Sequence, residues 1–423
     1  MPKSPFLAIG LLFLQLLPQL LLNIMFWVVV LLVAWQYRRL AAMEHALYGA
    51  PRHSPLYLTA LAAAQGILAG LAGSYLMVLA GVTLTGSGVS YLLPVALLLM
   101  LISPRYLCFS YAGGLLSLSS LILGVPRLNV PGLMGLVAVL HATESLLIAA
   151  GGARAAAPMA FKGEGGDAVA GFTLQKFWPV PIVILAVLSG TPAGGMIQMP
   201  GWWPLIRAPN MSDGTVFAML PVVAVLGYAD LAVTVTPERK AFQTAGWLFA
   251  YSVVLLALAV LASHWWPAQW LAALFGPLGH EAVVELGGRR ELRGRPFFAR
   301  PPAGVRVLDV LAGSAAARMG LQRGDVVLSC NGEPVGNLEE LDAALTMGVF
   351  GVEVVVERGS NRLTLLARRR PADGRWGFIL VPRADDPRVV ELRPMRPFAS
   401  LLRLARRVVD FFSRDFFNRG GGR

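Results

Sequence analysis

The chain has 423 residues, 56% of them apolar and 14% charged, with a net charge of +12. Residues 1–279 hold 19 charged residues and residues 280–423 hold 41, so the first part reads as an integral membrane domain and the second as one small soluble domain with a tail. The basic residues of the second part are all arginine, 24 against 17 acids. No nucleic-acid-binding motif accompanies them, which argues against nucleic acid as a partner. Attraction to anionic lipid head groups and a plain compositional bias both remain open as their meaning.

The apolar run from Phe6 to Trp35 is too long for a cleavable signal peptide and lacks a small-residue cleavage site. Hydropathy predicts about eight membrane spans, near 18–36, 57–82, 90–103, 106–124, 131–151, 177–190, 215–235 and 244–263. Residues 5–17 read as an interfacial piece ending at Pro18. Residues 265–279 are short for a crossing: at 1.5 Å per residue they cover roughly 22 Å of a hydrocarbon core about 30 Å thick. Gly66 and Gly70 form a small-xxx-small pair, which predicts close helix–helix packing. The loops carrying Arg38, Arg39 and Arg52, then Arg154, Lys162 and Lys176, then Arg239 and Lys240 are expected on the cytoplasmic side. The stretch from Thr191 to Gly214, with Arg207 alone, is expected outside. Arg289, Arg290, Arg293, Arg295 and Arg300 favour a cytoplasmic C-terminal domain.

Three ionisable residues stand inside apolar stretches: His141, Glu144 and Asp230. His141 and Glu144 share a helix face. A proton relay or ion site is one reading, and structural pairing is the other. Cys108 and Cys330 are the only cysteines, and a disulfide between them is not expected.

The soluble part is expected as a strand over 305–310, a short helix over 315–319 ended by Gly320, and a strand over 326–330. A tight turn at Asn331-Gly332 and a helix capped by Asn337 and Glu340 follow, then a hairpin over 352–366. Gly313-Ser314-Ala315-Ala316, Met319-Gly320-Leu321, Gly324-Asp325-Val326-Val327 and Asn331-Gly332-Glu333-Pro334-Val335 resemble a bacterial-type PDZ domain. That resemblance implies a peptide groove between a strand and the longer helix, with backbone pairing along the strand. The residues before Val305 match the family's carboxylate loop poorly. Arg375-Trp376-Gly377-Phe378-Ile379 match it better, which implies a rearranged strand order. An ordinary closing strand is the alternative. The expected peptide-binding residues are therefore Arg375, Trp376, Gly377, Phe378 and Ile379, with Leu338, Leu341 and Leu345 on the helix.

Catalytic residues are not expected. No histidine pair at His-x-x-x-His spacing accompanies His280-Glu281 or His141–Glu144, and Asp230 stands alone as a span aspartate. Neither a metal nor a cofactor is called for. His141-Ala142-Thr143-Glu144-Ser145-Leu146-Leu147 and Gly171-Phe172-Thr173-Leu174-Gln175-Lys176-Phe177-Trp178-Pro179-Val180-Pro181, together with the layout, look similar to MinJ-type division-site proteins. What that resemblance implies is a scaffold bridging DivIVA-like and MinD-like partners; a regulatory or inactive relative of membrane proteases, or a transporter using Glu144 and Asp230, are the alternatives. The expected architecture is a polytopic α-helical membrane domain (1–280), a basic linker (281–300), a small α+β PDZ-like domain (301–383) and a basic amphipathic tail (384–423). In the tail, Phe398, Leu401, Leu402, Ala405, Val408, Val409, Phe412 and Phe416 form one stripe. It is suited either to an anionic leaflet or to packing on the soluble domain.

Overall fold

The computed structural model describes residues 5–162, 168–188, 197–207, 211, 215–347, 351–367, 371, 375–383 and 389–391. The tail stripe from Phe398 to Phe416 lies outside the described residues. The elements run, in order, α1 (Pro5–Leu22), α2 (Ile24–Tyr48), α3 (Pro55–Ala80), α4 (Val89–Ile102), α5 (Phe109–Leu123) and α6 (Val130–Gly151). Then come β1 (Ala157–Lys162), β2 (Ala168–Leu188), β3 (Val216–Ala232), α7 (Pro237–His264) and α8 (Pro267–Arg293). The soluble module follows as β4 (Val305–Val310), α9 (Ala315–Met319), β5 (Val326–Cys330), β6 (Glu333–Pro334) and α10 (Leu338–Met347). It closes with β7 (Val352–Arg358), β8 (Asn361–Ala367), β9 (Phe378–Leu380) and β10 (Val389–Glu391). Among the described residues, five helices are long and apolar enough to cross a membrane: α1, α2, α3, α6 with the turn after it, and α7. The chain is a membrane protein with a helical N-terminal region and a small sheet-containing domain after it. α6 is the axis of the bundle, with 78% of its apolar window buried.

The span list needs three corrections. The stretch 18–36 straddles two helices, because the Asn23 side chain accepts from Met25 N–H and starts α2 afresh. Residues 265–293, expected as a short apolar piece and part of a basic linker, hold one helix, α8, that runs through Arg293. The stretches 177–190 and 215–235 are not helices: they lie on β2 and β3, an antiparallel hairpin paired from Phe172↔Ala232 to Leu188↔Val216. Helix is opposed there by Pro179, Pro181 and Pro221, each of which would remove a helical donor, and by runs of β-branched residues. At about 3.4 Å per residue the hairpin is roughly 55 Å long, more than the thickness of a bilayer core.

Gly66 and Gly70 serve this strand rather than a second helix. A Cβ on Gly66 would sit 2.0 Å from the Pro179 carbonyl oxygen, and one on Gly70 would sit 2.1 Å from that of Pro181. Pro179, Pro181 and Val183 of β2 turn backbone groups away from β3 and toward α3. Pro179 and Pro181 have no N–H to satisfy there, and Val183 N–H donates to Ser74 Oγ at 2.8 Å. Further along, Leu84 N–H donates to the Leu185 carbonyl. Even-numbered Trp178, Val180, Ile182 and Ile184 are buried in the membrane core.

At the other end an ion cluster joins β3, α7 and α8. Lys240 Nζ lies 3.5 Å from Asp230 and 3.4 Å from Glu291, and Glu291 accepts from Val233 N–H and Thr234 N–H. Gly66→Val should cost about 1–3 kcal/mol through overpacking, seen as a lower thermal unfolding midpoint in detergent. Gly10→Ala, whose added Cβ meets nothing within 4 Å, should not lower the midpoint.

Candidate peptide-docking cleft

The soluble module is built as its sequence dictates. Ser314 caps α9 by accepting from Ala317 N–H, and Gly320 (φ 95°) ends it. Asn331 and Gly332 take positive φ in the turn after β5. Asn337 accepts from Glu340 N–H at 2.8 Å while the Glu340 carboxylate accepts from Gly336 N–H, which starts α10. Asp325 closes the preceding turn by accepting from Gln322 N–H and pairs with Arg358 at 2.8 Å. The sheet order is β8-β7-β5-β4-β9, with β6 paired to β5. Cys330 is wholly buried in this core, and burial pushes its thiol up to about 11.

β9 is one of the two edge strands. It pairs antiparallel with β4, with Val310 opposite Phe378. Val381 N–H donates to the Arg306 carbonyl and Leu311 N–H donates to the Gly377 carbonyl, so these alternate residues face β4. Phe378 and Leu380 then turn their backbone groups outward. Outside that edge lies a cleft of about 1290 Å³. Its walls are β9 from Phe378 to Leu380, the start of α10 at Asn337, Leu338 and Glu339, the segment Arg300–Gly304, and Leu47, Tyr48, Met159 and Ala160 from the membrane part.

The sequence-derived residues separate into three groups. Leu338, Phe378 and Ile379 line the cleft, and Leu338 is 47% exposed. Leu341, Leu345 and Trp376 point into the module core and are nearly inaccessible. Arg375 donates to the Gly49 carbonyl at the end of α2, and Gly377 (φ 78°) passes so near Ser314 that no side chain fits. Leu47, Tyr48, Met159 and Ala160 complete the cleft from segments far away in the chain, which no local motif could reveal.

The membrane part forms one wall because the two parts are docked. Asp309, on β4 and almost fully buried, pairs with Arg52 at 2.8 Å and with Arg323 at 3.1 Å. Arg323 also reaches Glu238 on α7 and lies over the Phe172 ring at 4.8 Å. Leu308, Ile379 and Val381 pack against the membrane core, while Phe378 and Leu380 pack against the module core. Arg52, Glu238 and Lys240, drawn from loops with like charge bias, thus gather at the end of the bundle that carries the module.

The intramembrane polar residues separate too. Asp230 accepts from Thr244 Oγ1 at 2.7 Å and belongs to the Lys240 cluster. His141 lies instead beside Cys108 and His280, with its Nε2 at 3.1 Å from Cys108 Sγ. A search for two histidines one turn apart passes over this cluster, because its members come from three segments. Both cysteines are free thiols, as their contexts predict.

Residues 306–358 match the family model of the PDZ domain. These residues form a PDZ domain. β9 lies beyond the matched stretch. The Cell division topological determinant MinJ of Bacillus subtilis (strain 168) is 23% identical over 172 residues, which cover 40% of this chain and 41% of that protein. Serine protease HTR4 of Rattus norvegicus and Serine protease HTRA4 of Mus musculus are each 40% identical over 70 residues, which cover 16% of this chain and 14% of each protease. The matches therefore span less than half the length of these relatives. The chain is similar to MinJ over these residues, and its PDZ domain is an interaction domain fit for protein partners.

Asp309→Ala leaves Arg52 buried without its partner and should cost about 3–5 kcal/mol, measurable as a lower unfolding midpoint and faster proteolytic release of the module. A second dependence follows from His53, beside Arg52. Burial, and then the Arg52 charge, hold its imidazole below the usual value. The folded state thus favours the neutral ring, and this stabilisation is present above a pH of about 6.5 and is lost as pH falls toward the folded value. Acidification should therefore increase proteolytic release in the wild type more than in His53→Gln.

Proposed function

We propose that the chain is a division-site scaffold of the cell membrane, and that the outer edge of β9 takes up an extended segment of a protein partner by backbone pairing. The outward-facing edge of β9 beside the start of α10 carries this reading. Edge pairing supplies affinity without regard to sequence, and the walls supply selection. Arg300, Arg306 and Arg383 stand among the lining residues, so an acidic segment or a terminal carboxylate is the favoured occupant. Arg383 is paired with Glu339 at 3.0 Å across the cleft, an exposed pair that an incoming carboxylate displaces at small cost.

Confinement to the membrane raises the local concentration of the cleft for partners that are themselves membrane-associated. The resemblance to a cell-division topological determinant makes DivIVA-like and MinD-like proteins the partners to try first, and the arginine-rich tail adds attraction to anionic lipids. The charge bias of the loops at the module's end of the bundle supports a cytoplasmic PDZ domain. The work proposed is recruitment, with no bond broken.

A fluorescent fusion should concentrate at septa and poles, and Leu338→Glu, a change at an exposed position, should spread it evenly round the membrane at unchanged abundance. An even distribution of the wild-type fusion would count decisively against the scaffold. Septal retention of the Leu338→Glu form would move the docking site off this cleft.

A further inference from the structure

The membrane bundle brings three metal-ligating side chains together. Cys108 caps the N-terminus of α5, His141 is near the middle of α6, and His280 is near the middle of α8. Cys108 Sγ lies 3.1 Å from His141 Nε2 and 3.6 Å from His280 Nε2, and the three ligand atoms all lie within 4.8 Å of one another. Bonds of about 2.3 Å to sulfur and 2.0–2.1 Å to nitrogen, at a tetrahedral angle, put the two atoms roughly 3.5 Å apart. The side chains stand at ligand spacing already.

The hydrogen bonds around this cluster leave it ill-suited to stand alone. His141 Nδ1 is 2.8 Å from the Val137 carbonyl, which only accepts, so Nδ1 carries the proton and Nε2 is a lone pair. His280 Nδ1 is 3.4 Å from Tyr111 Oη, and Tyr111 gives its own proton to Glu281 Oε2 at 2.6 Å. Tyr111 therefore accepts from His280, and the Nε2 of His280 is a lone pair as well. Two acceptors face one thiol, which has one proton to give. One buried nitrogen would be left unsatisfied, at a cost of about 1–3 kcal/mol. A cation between the two nitrogens and a thiolate removes the conflict.

We propose that Cys108, His141 and His280 bind one divalent transition-metal ion, zinc by the chemistry of two imidazoles and a thiolate. The outer contacts are those of a built site. Both imidazoles are fixed through Nδ1 by an oxygen partner, as metal-bound histidines are. Cys108 Sγ accepts from Ser110 N–H at 3.4 Å, which orients the sulfur at the start of α5. Tyr251 closes one side, its ring 5.5 Å from His141 and 5.8 Å from His280. Three protein ligands leave a fourth position, and Glu144 follows His141 by one turn of α6. Tyr111 is a positioning residue that acts through His280.

The test uses the full chain in detergent, stripped with a chelator and titrated with Co²⁺. One Co²⁺ per chain should bind with a sulfur-to-cobalt charge-transfer band and the intense d–d absorption of a tetrahedral site, and Zn²⁺ should erase both. Cys330 is the only other thiol. Cys330→Ser should therefore keep the band and Cys108→Ser should lose it while eluting as the wild type does. Tyr111→Phe should weaken Co²⁺ binding about 10- to 100-fold. The proposal is overturned if the folded wild type gives no such band, if the band vanishes in Cys330→Ser, or if it survives in Cys108→Ser. Should Cys108→Ser not fold, the wild type and Cys330→Ser decide the matter.

Discussion

The contact between α3 and β2 is the constraint on which the architecture rests. A strand beside a helix leaves a row of backbone groups that the helix cannot pair, and such groups are costly away from water. Here the row is dealt with residue by residue. Two positions are proline and lack a donor, a third donates to Ser74, and the carbonyls of the prolines lie over glycines that offer no side chain to obstruct them. Any bulk on that face of α3 would push the hairpin out. With it would go the buried row Trp178, Val180, Ile182 and Ile184 that fills the bundle.

The same hairpin ties the membrane part to the soluble one. Phe172, near its start, lies under Arg323 and against Phe298, and β1 runs beside it. The module is thus held by a short, stiff junction at Asp309, in which two guanidinium groups share one buried carboxylate. The cleft is a product of that docking. One wall belongs to the PDZ domain and the other to the end of α2 and to β1. What the cleft admits is set by both.

Much of the module was legible in the sequence, because each signal was local. Gly320, Asn331-Gly332 and the Asn337–Glu340 pair encode their own geometry within a few residues, and all occur where expected. Phe378 and Ile379 were legible as a strand through the likeness of Arg375-Trp376-Gly377-Phe378-Ile379 to the family's loop and binding strand. The membrane part was harder, since hydropathy reports burial and not backbone conformation. The stretch 177–190 is apolar enough to read as a span, but Pro179 and Pro181 within it were the better guide. Leu341 and Leu345 were assigned to the groove from helix periodicity, which identifies an apolar face without telling whether core or cleft lies under it. The gathering of Cys108, His141 and His280 depends on how three helices pack, which no spacing rule encodes.

The pairing of β10 with β1 has a mechanical consequence. β9 and β10 are joined by a short stretch of chain, and β10 lies parallel to β1 at Ala160↔Val389. The edge strand of the cleft is therefore anchored on its downstream side to a sheet that continues into the bundle. Drawing β9 away from the bundle therefore also works against the hydrogen bonds of the β10–β1 ladder. A domain tied down on both sides of its edge strand in this way resists being pulled from the bundle better than one hung on a loose linker.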